Sequence, residues 1–372
     1  MKLYRYLVTA VVTSLLITAT TPSKLTAAGT LTFQRVNYPG GDGPKSLVIG
    51  DVDQDGDLDI AVANRYSNDV SVFFNQGNGT LTTPVNYRVG TEPLDLAIRD
   101  LDQDLDLDLV TANSRSRNVS VLLNNGDGSF GMALNFTVSG SPRGVTTGDF
   151  NTDGHIDLAV ATGLSNTVAI MLNNGLTSFN VSQNVAVSTN PWALEARDLD
   201  SDGYLDLAVA NLDSNNVAIL RNNGNGSFNL LSYLATGTSP YEMTISDLDS
   251  DSDFDLVVPN TRSRNFSVLM NNGNATFATA VNYNVRNAPK SVADGDLDGD
   301  GDPDLMVANH FSNNISLMIN NGQGLFSLFT DISVGTRPVS VQLGDLDKDG
   351  DLDAAVANNE SDNISVLINE RI

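Results

Sequence analysis

Asp51-Val52-Asp53-Gln54-Asp55-Gly56-Asp57-Leu58-Asp59, or DVDQDGDLD, places a carboxylate at every odd position of a nine-residue stretch. The pattern returns as DLDQDLDLD from Asp100, DFNTDGHID from Asp149, DLDSDGYLD from Asp198, DLDSDSDFD from Asp247, DLDGDGDPD from Asp296 and DLDKDGDLD from Asp345. Successive copies are 49 residues apart without an insertion. Each of the seven units must therefore occupy the same volume beside its neighbours, as in a ring or a solenoid.

Outward from the acidic stretch, each unit is made of short apolar runs. In the second unit these are Leu94 to Ile98, Leu109 to Ala112, Val119 to Leu123 and Leu134 to Val138, separated by the acidic loop, a polar loop and the turn NNGDG. Runs rich in Val, Leu and Ile between Asn-Gly or Gly-Pro punctuation are strand signals. No stretch from residue 29 onward has sustained helical spacing of apolar residues, so four antiparallel strands per unit are expected. A repeat of this length and strand content fits the blade of a propeller. The last unit ends at Ile372 after its third run, and Phe33 to Tyr38 resembles the fourth run of other units. The expectation is an all-β, seven-bladed β-propeller over residues 29–372, in which an N-terminal strand completes the last blade and leaves no open edge.

Lys2 and Arg5, the apolar run Tyr6 to Ile17 and small residues up to Ala28 have the layout of a signal peptide over residues 1–28, which predicts a secreted or periplasmic protein. The apolar run is too short to span a bilayer. The chain has no cysteine, so stabilisation outside the cell must come from something other than disulfides. Its formal charge is −25, and 32 of its 45 acidic residues lie in the seven loops. Such a balance argues against nucleic-acid partners and membrane insertion; a monomer is expected.

Carboxylates crowded at alternate positions of a tight loop suit a hard cation, since Ca2+ takes six to eight oxygen ligands. In the first loop Asp51, Asp53, Asp55 and Asp59 are the side-chain candidates, with Asp57 at the variable seventh position suggesting a backbone carbonyl. The counterparts are Asp100, Asp102, Asp104, Asp106 and Asp108 in the second loop, and Asp149, Asn151, Asp153, His155 and Asp157 in the third. The fourth has Asp198, Asp200, Asp202, Tyr204 and Asp206; the fifth has Asp247, Asp249, Asp251, Asp253 and Asp255. The sixth has Asp296, Asp298, Asp300, Asp302 and Asp304, and the seventh Asp345, Asp347, Asp349, Asp351 and Asp353. Up to seven structural Ca2+ ions are expected. The sixth position is glycine in five loops, which suits a left-handed turn; Leu105 and Ser252 break the rule and mark the loops expected to bind most weakly. An EF-hand is excluded because its loop has twelve residues and ends in glutamate, whereas the twelfth position here is Val62, Thr111 or Val160, inside a strand run.

These loops and their spacing resemble the FG-GAP or VCBS repeats of the integrin α-subunit propeller and of secreted bacterial proteins. The resemblance covers Phe33 to Ile372. It implies that the DxDxDGxxD loop joins the first and second strands of a blade and holds calcium on the lower face. The Phe-Gly…Gly-Ala-Pro signature is absent; Phe130-Gly131 is its only trace.

The opposite face would be formed by the loops entering the first strand and those joining the second to the third. These loops carry ten of the 17 basic residues that follow residue 28. Arg115, Arg117, Arg143, Trp192, Tyr241, Arg262, Arg264 and Lys290 are the candidate ligand residues, suited to stacking on sugars or pairing with acidic glycans. Enzymatic machinery is sparse: there is no cysteine, and the two histidines are His155, within a metal loop, and His310. The expected function is a calcium-binding module for carbohydrate or a cell-surface or matrix protein, not an enzyme. A calcium-assisted polysaccharide lyase and a purely structural envelope or matrix component are the alternatives.

Overall fold

A computed structural model describes residues 31–371, and the expected signal segment lies outside them. Twenty-eight strands form seven four-stranded antiparallel sheets, each joining consecutive strands except the last. That sheet pairs Phe33–Pro39 with Asn363–Asn369, in register from Phe33 opposite Asn369 to Pro39 opposite Asn363. The expected closure by the N-terminal strand is therefore what the chain adopts. The innermost strands also meet around the ring, Pro44–Gly50 lying against Pro338–Gly344, and the Leu47 N–H donates to Ser340 Oγ at 3.3 Å. Among the described residues no helix is long and apolar enough to cross a membrane.

The second strand of every blade, such as Asp59–Asn64 or Asp206–Asn211, is buried along its whole length. Blades pack on both of its faces, so the sequence there is a continuous small apolar run instead of an alternating one. The core consequently lies between blades. Phe150, Ile170, Leu220 and Phe228 pack together between the third and fourth, with the Phe150 and Phe228 rings edge-on at 5.4 Å. Full burial of side chains this size contributes about 1.5–3 kcal/mol each.

Six of the seven innermost strands begin with the same irregularity. Pro44 pairs with Asn64, Lys45 is skipped, and Ser46 pairs with Ala63; the same shift follows Pro93, Pro142, Pro191, Pro289 and Pro338. A bulge of this kind leaves one residue unpaired and re-aims its side chain. In the fifth blade the disturbance is larger, and the innermost strand shrinks to Thr244–Ser246. There the Glu242 N–H leaves its own blade and donates to Lys290 O of the next, at 3.2 Å.

Candidate metal centres and the axial mouth

Every acidic loop has the same internal frame. The first aspartate accepts from the backbone N–H of the sixth residue, as Asp51 Oδ2 does from Gly56 at 3.0 Å and Asp345 Oδ2 from Gly350 at 3.1 Å. The ninth, Asp59, accepts from Val52 N–H at 3.0 Å and from Asn75 N–H at 2.8 Å, which locks the loop to the turn after the third strand. The sixth residue is left-handed in all seven loops, including Leu105 at φ 76° and Ser252 at φ 75°. The fourth residue is also left-handed, from Gln54 at φ 60° to Lys348 at φ 63°, although only Gly299 among the seven is a glycine. That second reversal was not anticipated from the sequence, where the fourth position shows no glycine pattern.

The frame aims oxygens at a common centre. Asp51, Asp53 and Asp59 each bring one carboxylate oxygen within 4.8 Å of the others, as do Asp100, Asp102 and Asp108, and Asp198, Asp200 and Asp206. In the fifth and sixth loops the converging sets are Asp247, Asp249 and Asp251, and Asp296, Asp298 and Asp300. Asp51 Oδ1, Asp200 Oδ1, Asp249 Oδ1 and Asp345 Oδ1 are buried without a hydrogen-bond partner. Orphaned buried carboxylate oxygens are costly, and a hard divalent cation is the group that fits them. The seventh-position side chains point elsewhere: Asp57, His155 and Tyr204 lie over Gly77, Gly175 and Gly224 of the neighbouring turn.

Burial pushes the ninth carboxyls up, to about 6 at Asp59, Asp157 and Asp353 and to about 7 at Asp108, Asp206, Asp255 and Asp304. The two backbone donors oppose the shift and the other loop carboxylates add to it. The fourth loop differs from the rest. Arg221 places Nε 2.8 Å from Asp200 Oδ2 and Nη2 3.1 Å from Asp202 Oδ2, so a guanidinium sits against two of the candidate ligands. The equivalent residues of the other blades are Phe74, Leu123, Leu172, Met270, Ile319 and Ile368.

A buried asparagine ties each loop to the preceding blade. Asn222 Nδ2 donates to Leu205 O at 3.1 Å within its own blade and to Phe150 O at 3.0 Å in the one before. Asn75, Asn124, Asn173, Asn271, Asn320 and Asn369 repeat the arrangement, Asn75 reaching Leu346 O of the last blade at 2.7 Å. The signal was present, an asparagine 24 residues after the first aspartate of every unit, but it reads locally as half of an Asn-Gly turn.

At the other end of the same innermost strands the bulge residues meet on the ring axis. Lys45, Leu94, Arg143, Trp192, Tyr241, Lys290 and Val339 line a cavity of about 210 Å³, joined by Arg65, Tyr66, His310, Arg337 and Asn359 from the surrounding loops. Of the predicted ligand residues Arg143, Trp192, Tyr241 and Lys290 come together here. Arg115, Arg117, Arg262 and Arg264 do not; they stand exposed on the second-to-third loops outside the lining. Trp192 and Tyr241 lie 4.7 Å apart, Arg143 Cζ is 4.8 Å from the Trp192 ring centre, and Lys45 and Lys290 are 5.0 and 4.9 Å from that of Tyr241.

Burial, then Lys45 and other nearby cations, pulls Lys290 down to about 7; burial and Lys290 drive His310 down to about 3. The His310 imidazole is thus neutral, with Nδ1 3.2 Å from Pro338 O. Below the mouth the channel turns acidic, lined by Asp95, Glu195 and Glu242. Glu195 is reached by water from the channel yet enclosed by protein around it; burial, and next Asp95, pushes its carboxyl up to about 8. Neither the throat acids nor the converging Lys45, Arg65 and Arg337 were singled out as a site from sequence, because their proximity depends on ring closure.

The model of the FG-GAP-like repeat matches residues 51–111, 100–160, 149–209, 198–258, 247–307 and 296–356. No curated protein matches the chain. Among solved structures, BBS1N in complex with ARL6DN is similar with a TM-score of 0.67 at 11% identity, covering 92% of this chain and 98% of that one. A virginiamycin B lyase from Staphylococcus aureus gives 0.63 at 13% identity, over 90% of this chain and 99% of the other. An Agrocybe aegerita lectin recognising non-reducing terminal N-acetylglucosamine gives 0.53 at 21% identity, over 82% and 81%. At these identities the likeness is one of fold.

Proposed function

The chain belongs to the FG-GAP-like repeat family, and from that premise we propose that it is an extracellular binding module whose ring is stiffened by calcium and whose ligand docks on the face opposite the acidic loops. The ligand class is carbohydrate or a surface or matrix protein. The observation that carries this reading is the break in symmetry at the mouth. Seven equivalent bulge positions hold Lys, Leu, Arg, Trp, Tyr, Lys and Val, while the seven acidic loops at the far end keep one frame. Repetition suits a structural task, and a single asymmetric concavity suits recognition.

Calcium would be held by the first, third, fifth and ninth positions of the loops, where it would supply charge compensation and cross-link strands. A binding role is favoured over catalysis because neither histidine is placed as a base: His155 belongs to the third loop, and His310 is neutral against a backbone carbonyl. Proteins with similar rings include a lectin and a complex with a protein partner, so the architecture is compatible with either ligand class.

The test is retention on immobilised glycans and matrix proteins by the full chain and by a variant with Arg115, Arg117, Arg143, Arg262, Arg264 and Lys290 all changed to Glu. Loss of retention with an unchanged melting curve is expected. Retention that survives the reversal would refute the assignment of this face.

A further inference from the structure

Within that binding face, and resting on its reading as one, we infer that the axial mouth is a site for the carboxylate of a single acidic sugar residue, recognised by charge instead of ring stacking. Five cations, Lys45, Arg65, Arg143, Lys290 and Arg337, line one cavity of a chain whose formal charge is −25. Arg65 and Arg337 have partners of their own in Glu92 and Glu360. Among the described residues Lys45, Arg143 and Lys290 have no carboxylate within 4.0 Å, and Arg143 Nε is buried with no hydrogen-bond partner. Guanidinium and ammonium groups without a carboxylate of their own are matched by a planar anion such as a carboxylate.

The aromatic pair supports charge recognition over stacking. Arg143 lies over Trp192, Tyr241 is 4.7 Å from the same ring, and Lys45 and Lys290 both face Tyr241. A neutral sugar is left without a free ring face, whereas the rings hold the cations in place for an anion. Burial first, and then the neighbouring cations, lowers Lys290 and His310, whereas Lys45 is raised against its burial by Tyr241 and Glu242. The throat acids are otherwise engaged. Asp95 is engaged by Ser46 Oγ at 2.9 Å and by the Val145 N–H at 2.9 Å, and burial favours the neutral form of Glu242 and Glu195. The size of the cavity limits the occupant to one ring-sized group, below the range of drug-sized pockets.

Calorimetry on the full chain in millimolar calcium, at matched ionic strength, tests this with sodium glucuronate, sodium sulfate and glucose. Glucuronate should bind, sulfate should compete with it, and glucose should not bind. Arg143→Gln and Lys290→Met should each weaken glucuronate roughly tenfold or more, Lys290→Arg should restore most of the affinity, and Arg88→Gln, on the exposed outer strand of the first blade and away from the rim arginines Arg115 and Arg117, should change nothing. Glucose binding as tightly as glucuronate, sulfate binding with glucuronate rejected, or affinity unaffected by Arg143→Gln in a variant with the parent melting curve would each overturn the inference. If glycan retention then persists through Arg143→Gln and Lys290→Met but is lost with the rim arginines, the binding face stands and the axial site falls. If nothing is retained by either variant set or by the parent chain, both fall together.

Discussion

The two ends of the innermost strands obey opposite rules. At one end seven loops repeat a single hydrogen-bonded frame down to the left-handed fourth and sixth residues. At the other, six matching bulges and the more disturbed entry of the fifth blade carry seven side chains of mixed chemistry, two of them lysines. Where every copy must bear the same load the sequence stays periodic; where the ring has one axis and one mouth, the copies diverge. The contrast sets a structurally uniform end against a chemically asymmetric one, and the proposed division between stability and binding rests on it.

Removing calcium is the hardest blow to that comparison. At a few times a millimolar-range dissociation constant each occupied loop contributes about 1 kcal/mol, so seven loops should raise the melting temperature by on the order of 10 °C. Scanning calorimetry with calcium and with chelator measures it, and identical curves would remove the structural role from the periodic end. Next in size is Asn222→Ala. It removes a donor from the Leu205 carbonyl and one of the two donors of the buried Phe150 carbonyl, which keeps the Gly226 N–H, a loss of roughly 1–3 kcal/mol. Chemical denaturation should show that loss even in excess calcium, whereas no loss would mean that neighbouring blades are held by apolar packing alone.

A finer test compares loops within the periodic end. Arg221→Leu, which restores the apolar type found in other blades, should tighten calcium binding at the fourth loop. Leu105→Gly should relieve about 1 kcal/mol of left-handed strain in the second. Isothermal titration of each variant ranks them; if Arg221→Leu leaves the titration unchanged, its guanidinium does not compete with the ion. The smallest effect expected is at Glu195. Its folded carboxyl is raised to about 8, so from the ordinary glutamate range up to that value the folded chain keeps a proton the unfolded chain has lost. Stability should therefore fall as pH rises from about 5 to about 8, and Glu195→Gln should flatten that slope by ~1–3 °C in melting temperature. Water reaches the carboxyl through the channel, which keeps the effect small.

Most of the fold was legible because its signals are local and repeated seven times. The acidic loops announced the period, the apolar runs marked the strands, and Phe33 to Tyr38 disclosed the closure by its likeness to other outer strands. The candidate mouth was legible only in part. Arg143, Trp192, Tyr241 and Lys290 share a position after a proline and could be grouped from the repeat. Arg115 and Arg262 belong to equally basic loops that stay on the rim, a difference visible only once the bulges aim one set inward. Asn222 and its counterparts looked like turn residues because the one hydrogen bond that sets them apart crosses to the preceding blade.

The sequence alone determined the number of blades, the order of strands in each and the candidate cation ligands. All of these follow from nearest-neighbour patterning within 49 residues. Only the tertiary structure decided that Lys45, Arg143 and Lys290 share one cavity, that burial raises the Glu195 carboxyl, and that Arg221 lies against an acidic loop. The first two depend on the curvature that closes the ring, since it brings residues from separate blades onto one axis; the third depends on strand pairing within the fourth blade, which sets Arg221 beside Asp200 and Asp202.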